Sequence, residues 1–345
     1  MKVTIRSVAK LAGVAPSTVS HYLNQSAPVA ADTAQSVERA IAALNYRVNL
    51  GARSLRMRKT HSIGLIIPNI TTPFFGEIAE IIENALWDQD YQMLLCISER
   101  DLEREVVQVE NLASRQVDGI LMVYQGEQSK AVQFSKNIPV PIVFVDRPIP
   151  GEYSVATDNF HGGELAARHL AELGHRCIGM MCGEAEIRNV TERMDGFLTE
   201  LRRWQIDVKP EYILHGRQEL QFGVRAGELM SRRPRPTAIF ATNDIVAIGA
   251  WLTLLASGCQ VPGDISIIGF DNIEMTRFLS PPLTTVGQAT SQIAAEAVQL
   301  LLQRINQPED LKNKEPANIV IPPAIYIRGS TAAFHQEGGA INTDI

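Results

Sequence analysis

Ser17 and His21 stand one helical turn apart in the run Pro16-Ser-Thr-Val-Ser-His21, and both can hydrogen-bond a base edge. Thr18 and Ser20 in the same run can reach phosphate oxygens. Far downstream, Asp146, Asp158, Asn243, Asp244 and Asp271 each stand at or just beyond the end of an apolar run. Phe74 and Phe75 follow another such run, and Arg193 comes after Ile178–Cys182. A carboxylate accepts from two hydroxyls, an arginine grips an oxygen and a phenyl ring covers an apolar sugar face, so this second set suits a polyol. The same carboxylates could serve acid–base chemistry, but no paired nucleophile, His–Asp arrangement or metal spacing accompanies them. No cofactor or metal is expected, and His161, His169 and His175 read as structural. Asp244 and Asn272 read as helix caps before ligands. Phe74 could equally be core between two layers.

Short helices must position the first set. Val8, Leu11 and Ala12 before Gly13, and Val19, Tyr22 and Leu23 after it, recur at helical spacing. This predicts a helix Ile5–Ala12 with Thr4 as cap, a turn at Gly13, and a second helix from Pro16. A helix that enters a DNA groove reads bases from its N-terminal turns, here Pro16, Ser17 and Thr18 with His21 beyond. A third helix, Asp32–Leu44, closes the small core with Val37, Ile41 and Leu44. Next, Asn49-Leu-Gly-Ala-Arg-Ser-Leu55 reads as a short helix capped by Asn49. It is too short and glycine-interrupted to stand alone in water, but it can fold on binding.

The second set needs a different frame. Apolar strands at Ile63–Pro68, Gln92–Ile97, Gly119–Tyr124, Ile142–Asp146 and Val155–Thr157 alternate with amphipathic helices. A second series follows at Ile178–Cys182, Tyr212–His215, Ala238–Ala241 and Ile265–Phe270. Helical stretches such as Phe75–Gln89, Gly163–Leu173, Arg193–Trp204 and Gly223–Met230 lie between. Continuous apolar strands separated by helices imply parallel sheets covered on both faces. The fold class is therefore α/β: a small all-α helix-turn-helix headpiece and a body of two doubly wound lobes facing each other across a cleft. No GxGxxG, P-loop or GxSxG stands at a strand-to-helix turn.

Charge separates the two parts. The chain of 345 residues carries −6 overall, yet residues 1–60 hold nine Lys or Arg against Asp32 and Glu38, a balance of +7 that leaves −13 for the rest. A basic end on an acidic protein suits phosphates. Cys96, Cys177, Cys182 and Cys259 show no CxxC pairing and read as reduced thiols. No secretory h-region or membrane-length apolar run appears, so a cytoplasmic location and no membrane partner are expected.

The run TIRSVAKLAGVAPSTVSHYLN with VERAIAALNYRVN after it resembles the DNA-binding domain of the LacI/GalR family of bacterial transcriptional regulators. Its STVSH segment is most similar to members of the ribose- and purine-repressor type. Ala15 and Ala30 depart from the family, which has Ser at both caps. GLIIPN with TTPFF, VFVDRP, TDNFHGG, PTAIFATND, DISIIGFDN and SPPLTTV resemble the family's periplasmic-binding-protein-like body over Ser62–Thr331. The resemblance implies a headpiece 1–48, a hinge helix and linker 49–61, a body 62–331 and a tail 332–345. It divides the body into an N-lobe of 62–159 with 287–317 and a C-lobe of 160–286 with 318–331. It further implies a repressor of a carbohydrate-utilisation operon that binds double-stranded operator DNA as a homodimer. DNA contacts would come from Thr4, Pro16, Ser17, Thr18, Ser20, His21 and Asn24, and from hinge residues Asn49, Ala52, Arg53 and Leu55, with Leu55 wedged into the minor groove. A sugar or sugar phosphate would meet Phe74, Phe75, Asp146, Asp158, Arg193, Gln218, Asn243, Asp271 and Gln288. Gln218 stands where relatives stack an aromatic ring. The apolar stripe Ile78, Ile81, Ile82 and Ala85 would face the partner copy or pack on its own sheet, as some of it must, and no leucine heptad follows Ser330 to extend the dimer. A transport solute-binding protein is the alternative the body alone would support; a doubly wound enzyme lacks its motifs.

Overall fold

The computed structural model describes residues 3–24, 27–46, 59–123, 130–306 and 316–334. The chain divides into two units, Met1–Thr60 and His61–Ile345. The predicted hinge contacts Asn49, Ala52, Arg53 and Leu55 lie outside the described residues.

In the first unit α1 (Ile5–Ala12) begins at a reciprocal capping box: Ser7 N donates to Thr4 Oγ1, and Thr4 N donates to Ser7 Oγ. Gly13 ends the helix at φ 69, a left-handed conformation that a side chain would strain. α2 (Pro16–Asn24) follows, its first amides bonding the carbonyl of Ala15. α3 (Ala31–Leu44) starts at Ala30, which makes no side-chain cap bond. Val8, Ala9, Val19, Val37 and Ala40 are buried among the three helices. Leu11 does not join them: it is 55% exposed, because its place on α1 turns away from the face carrying Val8 and Ala9.

The second unit holds two six-stranded sheets. The first runs in the order β11-β5-β4-β3-β1-β2, all parallel, from β1 (Ser62–Ile67), β2 (Gln92–Ile97), β3 (Gly119–Val123), β4 (Ile142–Val145), β5 (Ser154–Thr157) and β11 (Asn318–Ile321). Helices α4 (Pro73–Trp87), α5 (Leu102–Ser114) and α6 (Lys130–Ser135) belong to this lobe with the long α12 (Thr290–Asn306). The second runs β12-β10-β9-β8-β6-β7, from β6 (Ile178–Cys182), β7 (Ile213–His215), β8 (Ala238–Ala241), β9 (Ser266–Asp271), β10 (Thr284–Gly287) and an antiparallel edge, β12 (Ala324–Tyr326). With it go α7 (Asn159–Glu172), α8 (Arg188–Arg203), α9 (Leu220–Gly223), α10 (Ala226–Met230) and α11 (Asp244–Ala256). β1, β3, β4, β5, β6 and β8 are buried almost throughout, as strands covered by helices on both faces must be.

The chain passes between lobes three times: at Thr157–Asn159, after Gly287, and between Ile321 and Ala324. The third crossing corrects the boundary drawn at residue 318. β11 pairs with β5 in the first sheet, Ile319 opposite Val155, so the N-lobe runs on to Ile321. The body also extends past residue 331, since Ala332 N donates to Ser266 Oγ and Phe334 N to the carbonyl of Leu173. α8 begins five residues before Arg193, not at it, and the predicted Gly223–Met230 helix is two short ones. Of the apolar stripe, Ile78 and Ile82 take the second of its two expected places, fully buried against their own sheet, with Ile81 and Ala85 packed beside that core.

α7 and α8 are the most closely packed helices of the second lobe. A Cβ added at Gly163 would lie 2.1 Å from the carbonyl oxygen of Arg193, and one at Gly196 would lie 1.9 Å from that of Phe160. One glycine on each helix, each against the other helix's backbone, thus allows close contact, and that contact fixes where α8 presents its cleft side chains.

Candidate functional site

The parallel strands of both sheets point their carboxyl ends at the space between the lobes. A cleft open to solvent is lined by Thr72, Phe74, Phe75, Arg100, Asp146, Ile187, Asn189, Arg193, Gln218, Asn243, Asp271 and Gln288. Eight of the nine predicted effector residues are therefore brought together. Asp158 is the exception: its Oδ1 accepts from His161 N at 2.9 Å, so it caps α7 and does not line the cleft. Asn243 does both, lining the cleft while accepting from Val246 N at 2.9 Å as the cap of α11. Asp244, predicted as that cap, instead accepts from Thr285 Oγ1 at 2.6 Å and Ile273 N at 2.9 Å. Burial holds the Asp244 carboxyl well above its ordinary range, helped by Asp271 nearby. Asn272 caps nothing either; its side-chain oxygen accepts from Arg328.

Arg193 is only 4% exposed. Its Nε donates to Asn159 Oδ1 at 2.8 Å and its Nη1 to the carbonyl of Thr242 at 2.7 Å and to Asp271 Oδ1 at 3.2 Å. The guanidinium carbon lies 3.8 Å from the centre of the Phe270 ring, so stacking fixes its plane as well. Asp271 Oδ1 also accepts from Gln288 Nε2 at 2.8 Å. Burial raises the Asp271 carboxyl, against the pull of Arg193 and Gln288. Phe74 and Phe75 meet edge to face, ring centres 5.5 Å apart, and both border the cleft. Gln218 sits close to Gly183, where a Cβ would meet its side chain at 2.7 Å.

Asp146 and Asn189 join the lobes across the cleft. Asn189 Nδ2 donates to Asp146 Oδ2 at 2.8 Å and to the Asp146 carbonyl at 3.0 Å. Among the described residues the remaining oxygens, Asp146 Oδ1 and Asn189 Oδ1, are buried without hydrogen-bond partners. Two buried orphan acceptors, one from each lobe, are costly unless a ligand donates to them. At the rim, Arg100 pairs with Glu184 of the other lobe at 3.0 Å, and Arg217 approaches the same carboxylate at 3.8 Å.

Burial pushes the Asp146 carboxyl up to about 7, with Arg193 lowering it and Asp271 raising it. A folded pKa above the ordinary 3.8 means that charging Asp146 opposes folding. Its contribution to stability is full below about pH 4 and is lost as pH rises through about 7, a cost of about 4 kcal/mol once the carboxyl is ionised. Asp146→Asn should therefore raise the melting temperature at pH 8 and change it little at pH 4. An equal effect at both pH values would show that the carboxyl charge is not responsible.

Sequence reasoning missed Thr72, Arg100, Ile187 and Asn189. Asn189 had a signal: it precedes Arg193 by four residues and so shares its helix face, which starting the helix at Arg193 hid. Arg100 lies three residues beyond β2, in the same context that singled out the carboxylates.

The first unit presents its predicted residues on α2. Pro16, Ser17 and His21 are exposed, Thr18 and Ser20 half-buried, and Val19 fully buried beneath them. Asn24 is the last residue of α2, and Thr4 is committed to capping α1. Among the described residues no group of His, Cys, Asp and Glu could hold a metal ion, and no helix is long and apolar enough to cross a membrane.

Residues 4–49 match the model of the bacterial regulatory proteins of the lacI family, and residues 167–331 match that of the periplasmic binding protein-like domain. The HTH-type transcriptional repressor PurR of Haemophilus influenzae is 37% identical over 334 residues, covering 96% of this chain and 99% of that protein. Among solved structures, the lac repressor dimer bound to operator and the anti-inducer ONPF superposes with a TM-score of 0.87 at 27% identity, over 96% of this chain and 100% of the other. A LacI family transcriptional regulator from Enterococcus faecium with bound ribose gives a TM-score of 0.70 at 31% identity, over 79% of this chain and 100% of its own.

Proposed function

The chain belongs to the LacI family of bacterial regulatory proteins, and from that premise we propose how its own residues divide the work of a ligand-responsive DNA-binding repressor. Pro16, Ser17 and His21 on α2 read base edges in the major groove of a pseudo-palindromic operator, while Thr18 and Ser20 reach phosphates. A small neutral or phosphorylated sugar occupies the cleft. It donates hydroxyls to the orphan oxygens of Asp146 and Asn189, and Arg193, Asp271 and Gln288 take its remaining polar groups. The observation that carries the effector reading is that orphan pair, buried acceptors from both lobes with nothing among the described residues to satisfy them. The operator-bound lac repressor dimer and the ribose-bound regulator support the two halves of the assignment. The protein works in the cytoplasm as a homodimer. The exposed Met275 and Phe278, the latter 77% exposed, beside Glu77 and Glu80 of α4, supply a face for the second copy.

The test is selection of duplexes from random-sequence DNA, followed by titration with pentoses, hexoses and their phosphates. A selected duplex should bind with a steep salt dependence, because phosphate contacts release counterions. His21→Ala should lose about 1–3 kcal/mol of discrimination at one base position while keeping most of its affinity. An unchanged base preference would remove His21 from the reading face. Failure of every sugar to shift the melting temperature would remove the effector assignment.

A further inference from the structure

Three residues of the cleft are wired to two that do not line it. Thr157 Oγ1 donates to Gln288 Oε1 at 2.7 Å, and Gln288 Nε2 donates to Asp271 Oδ1 at 2.8 Å. Arg193 Nη1 donates to the same Asp271 oxygen at 3.2 Å, and its Nε donates to Asn159 Oδ1 at 2.8 Å. Asn159 Nδ2 then donates to the Thr157 carbonyl at 3.2 Å and closes the circuit. Thr157, Asn159, Arg193 and Gln288 are buried, and the Asp271 side chain keeps a tenth of its surface.

The circuit sits on the crossings between lobes. Thr157 ends β5 in the first sheet, and Asn159 opens α7 in the second lobe, so the first crossing lies between them. Gln288 follows β10 directly, at the second crossing. Among the five members Thr157 alone belongs to the first sheet.

We propose that this circuit is the device by which occupancy of the cleft sets the angle between the lobes, with Thr157 and Asn159 as positioning residues that touch no ligand. The proposal rests on the cleft being an effector site. Asp271 Oδ1 accepts from both Gln288 and Arg193, so a ligand hydroxyl that takes this oxygen competes with both bonds. The two polar atoms of Gln288 lie on one rigid amide plane. Turning that plane away from Asp271 also turns it away from Thr157, and the two bonds fail together. Buried polar groups cannot stay half-satisfied without cost, so the circuit has two arrangements rather than a continuum. In one, the first sheet is tied to the cleft carboxylate; in the other it is released to rotate about the crossings.

The test is a double-mutant cycle on the full-length chain, read by affinity for a duplex selected as above. Asp271→Asn perturbs the cleft end of the circuit and Thr157→Val cuts its link to the first sheet. Each alone should change duplex affinity at least fivefold, and the double variant should show the change of one alone rather than the product. Thr157→Ser, which keeps the hydroxyl, should stay within twofold of wild type. Thr237→Val, which removes a half-buried hydroxyl bonded to His175 outside the circuit, should multiply with Asp271→Asn. The same cycle is read without DNA from hydrogen exchange at the Asp158 amide, which bonds the Ile321 carbonyl at 3.0 Å between the first and third crossings. Multiplicative effects of Asp271→Asn and Thr157→Val, or a Thr157→Val variant indistinguishable from wild type, overturn the proposal. If no duplex is selected, the DNA-reading role of α2 fails, and the exchange cycle still decides the circuit.

Discussion

Arg193→Met should lower the unfolding free energy of the His61–Ile345 unit by about 3–5 kcal/mol and abolish any thermal shift with sugars. Methionine matches the length of the arginine stem but leaves Asp271 buried with Gln288 as its remaining side-chain donor among the described residues. It also strands Asn159 Oδ1 and the Thr242 carbonyl, both served by Arg193. Removing one partner of a buried pair costs more than the pair contributes net, because the survivor keeps its desolvation penalty. Arg193→Met with Asp271→Leu should recover part of the loss of stability while leaving sugar binding absent. Urea unfolding separates the two variants, and a loss under about 1 kcal/mol for Arg193→Met alone would show that the guanidinium is not holding Asp271.

Gly163→Ala and Gly196→Ala should each cost about 3 kcal/mol, the upper end of what overpacking by one methyl produces. Both added carbons would fall on backbone oxygens, which cannot rotate away as a side chain can. Relief requires α7 and α8 to separate, and α8 carries Asn189 and Arg193, so sugar binding should be lost with the packing. Gly76→Ala in α4 is the contrasting case. The nearest atom to its added carbon is the Ile70 carbonyl oxygen at 3.7 Å, an ordinary contact. Replacing a helical glycine there should stabilise by about 0.5–1 kcal/mol. Equal thermal denaturation curves for all three variants would refute the close approach of the two helices.

The parallel sheets were legible because their strands are apolar without interruption, and the cleft was legible because parallel sheets gather polar residues at their carboxyl ends. That rule found Asp146, Asn243 and Asp271 from sequence. It could not tell a ligand from a cap: Asp158 meets the same description, but the helix that follows it takes its carboxylate. Where a short helix breaks after four residues, as at Gly223, the period extends over too few turns to show the break. β11 was misplaced for a related reason. Its burial pattern alternates with exposure, and only hydrogen bonding to β5 assigns it to the first sheet. Leu11 shows the limit of reading spacing without phase, since a residue at helical intervals from two core positions can still face solvent.

The assignment of β11 to the first sheet bears on how the protein is made. α12 and β11 belong to the first lobe, but they are synthesised after nearly all of the second, so the first lobe emerges from the ribosome with β5 as a bare edge. An unpaired parallel edge is a template for wrong partners, and here it must wait for some one hundred and sixty residues, from Thr157 to Asn318, to be translated. When β10 is complete the second lobe still lacks its β12 edge and the Arg328–Phe334 segment that bonds into it, but it already has five of its six strands and is in a position to hold the crossings in place. A nascent chain arrested before Asn318 is therefore where aggregation and chaperone capture should concentrate.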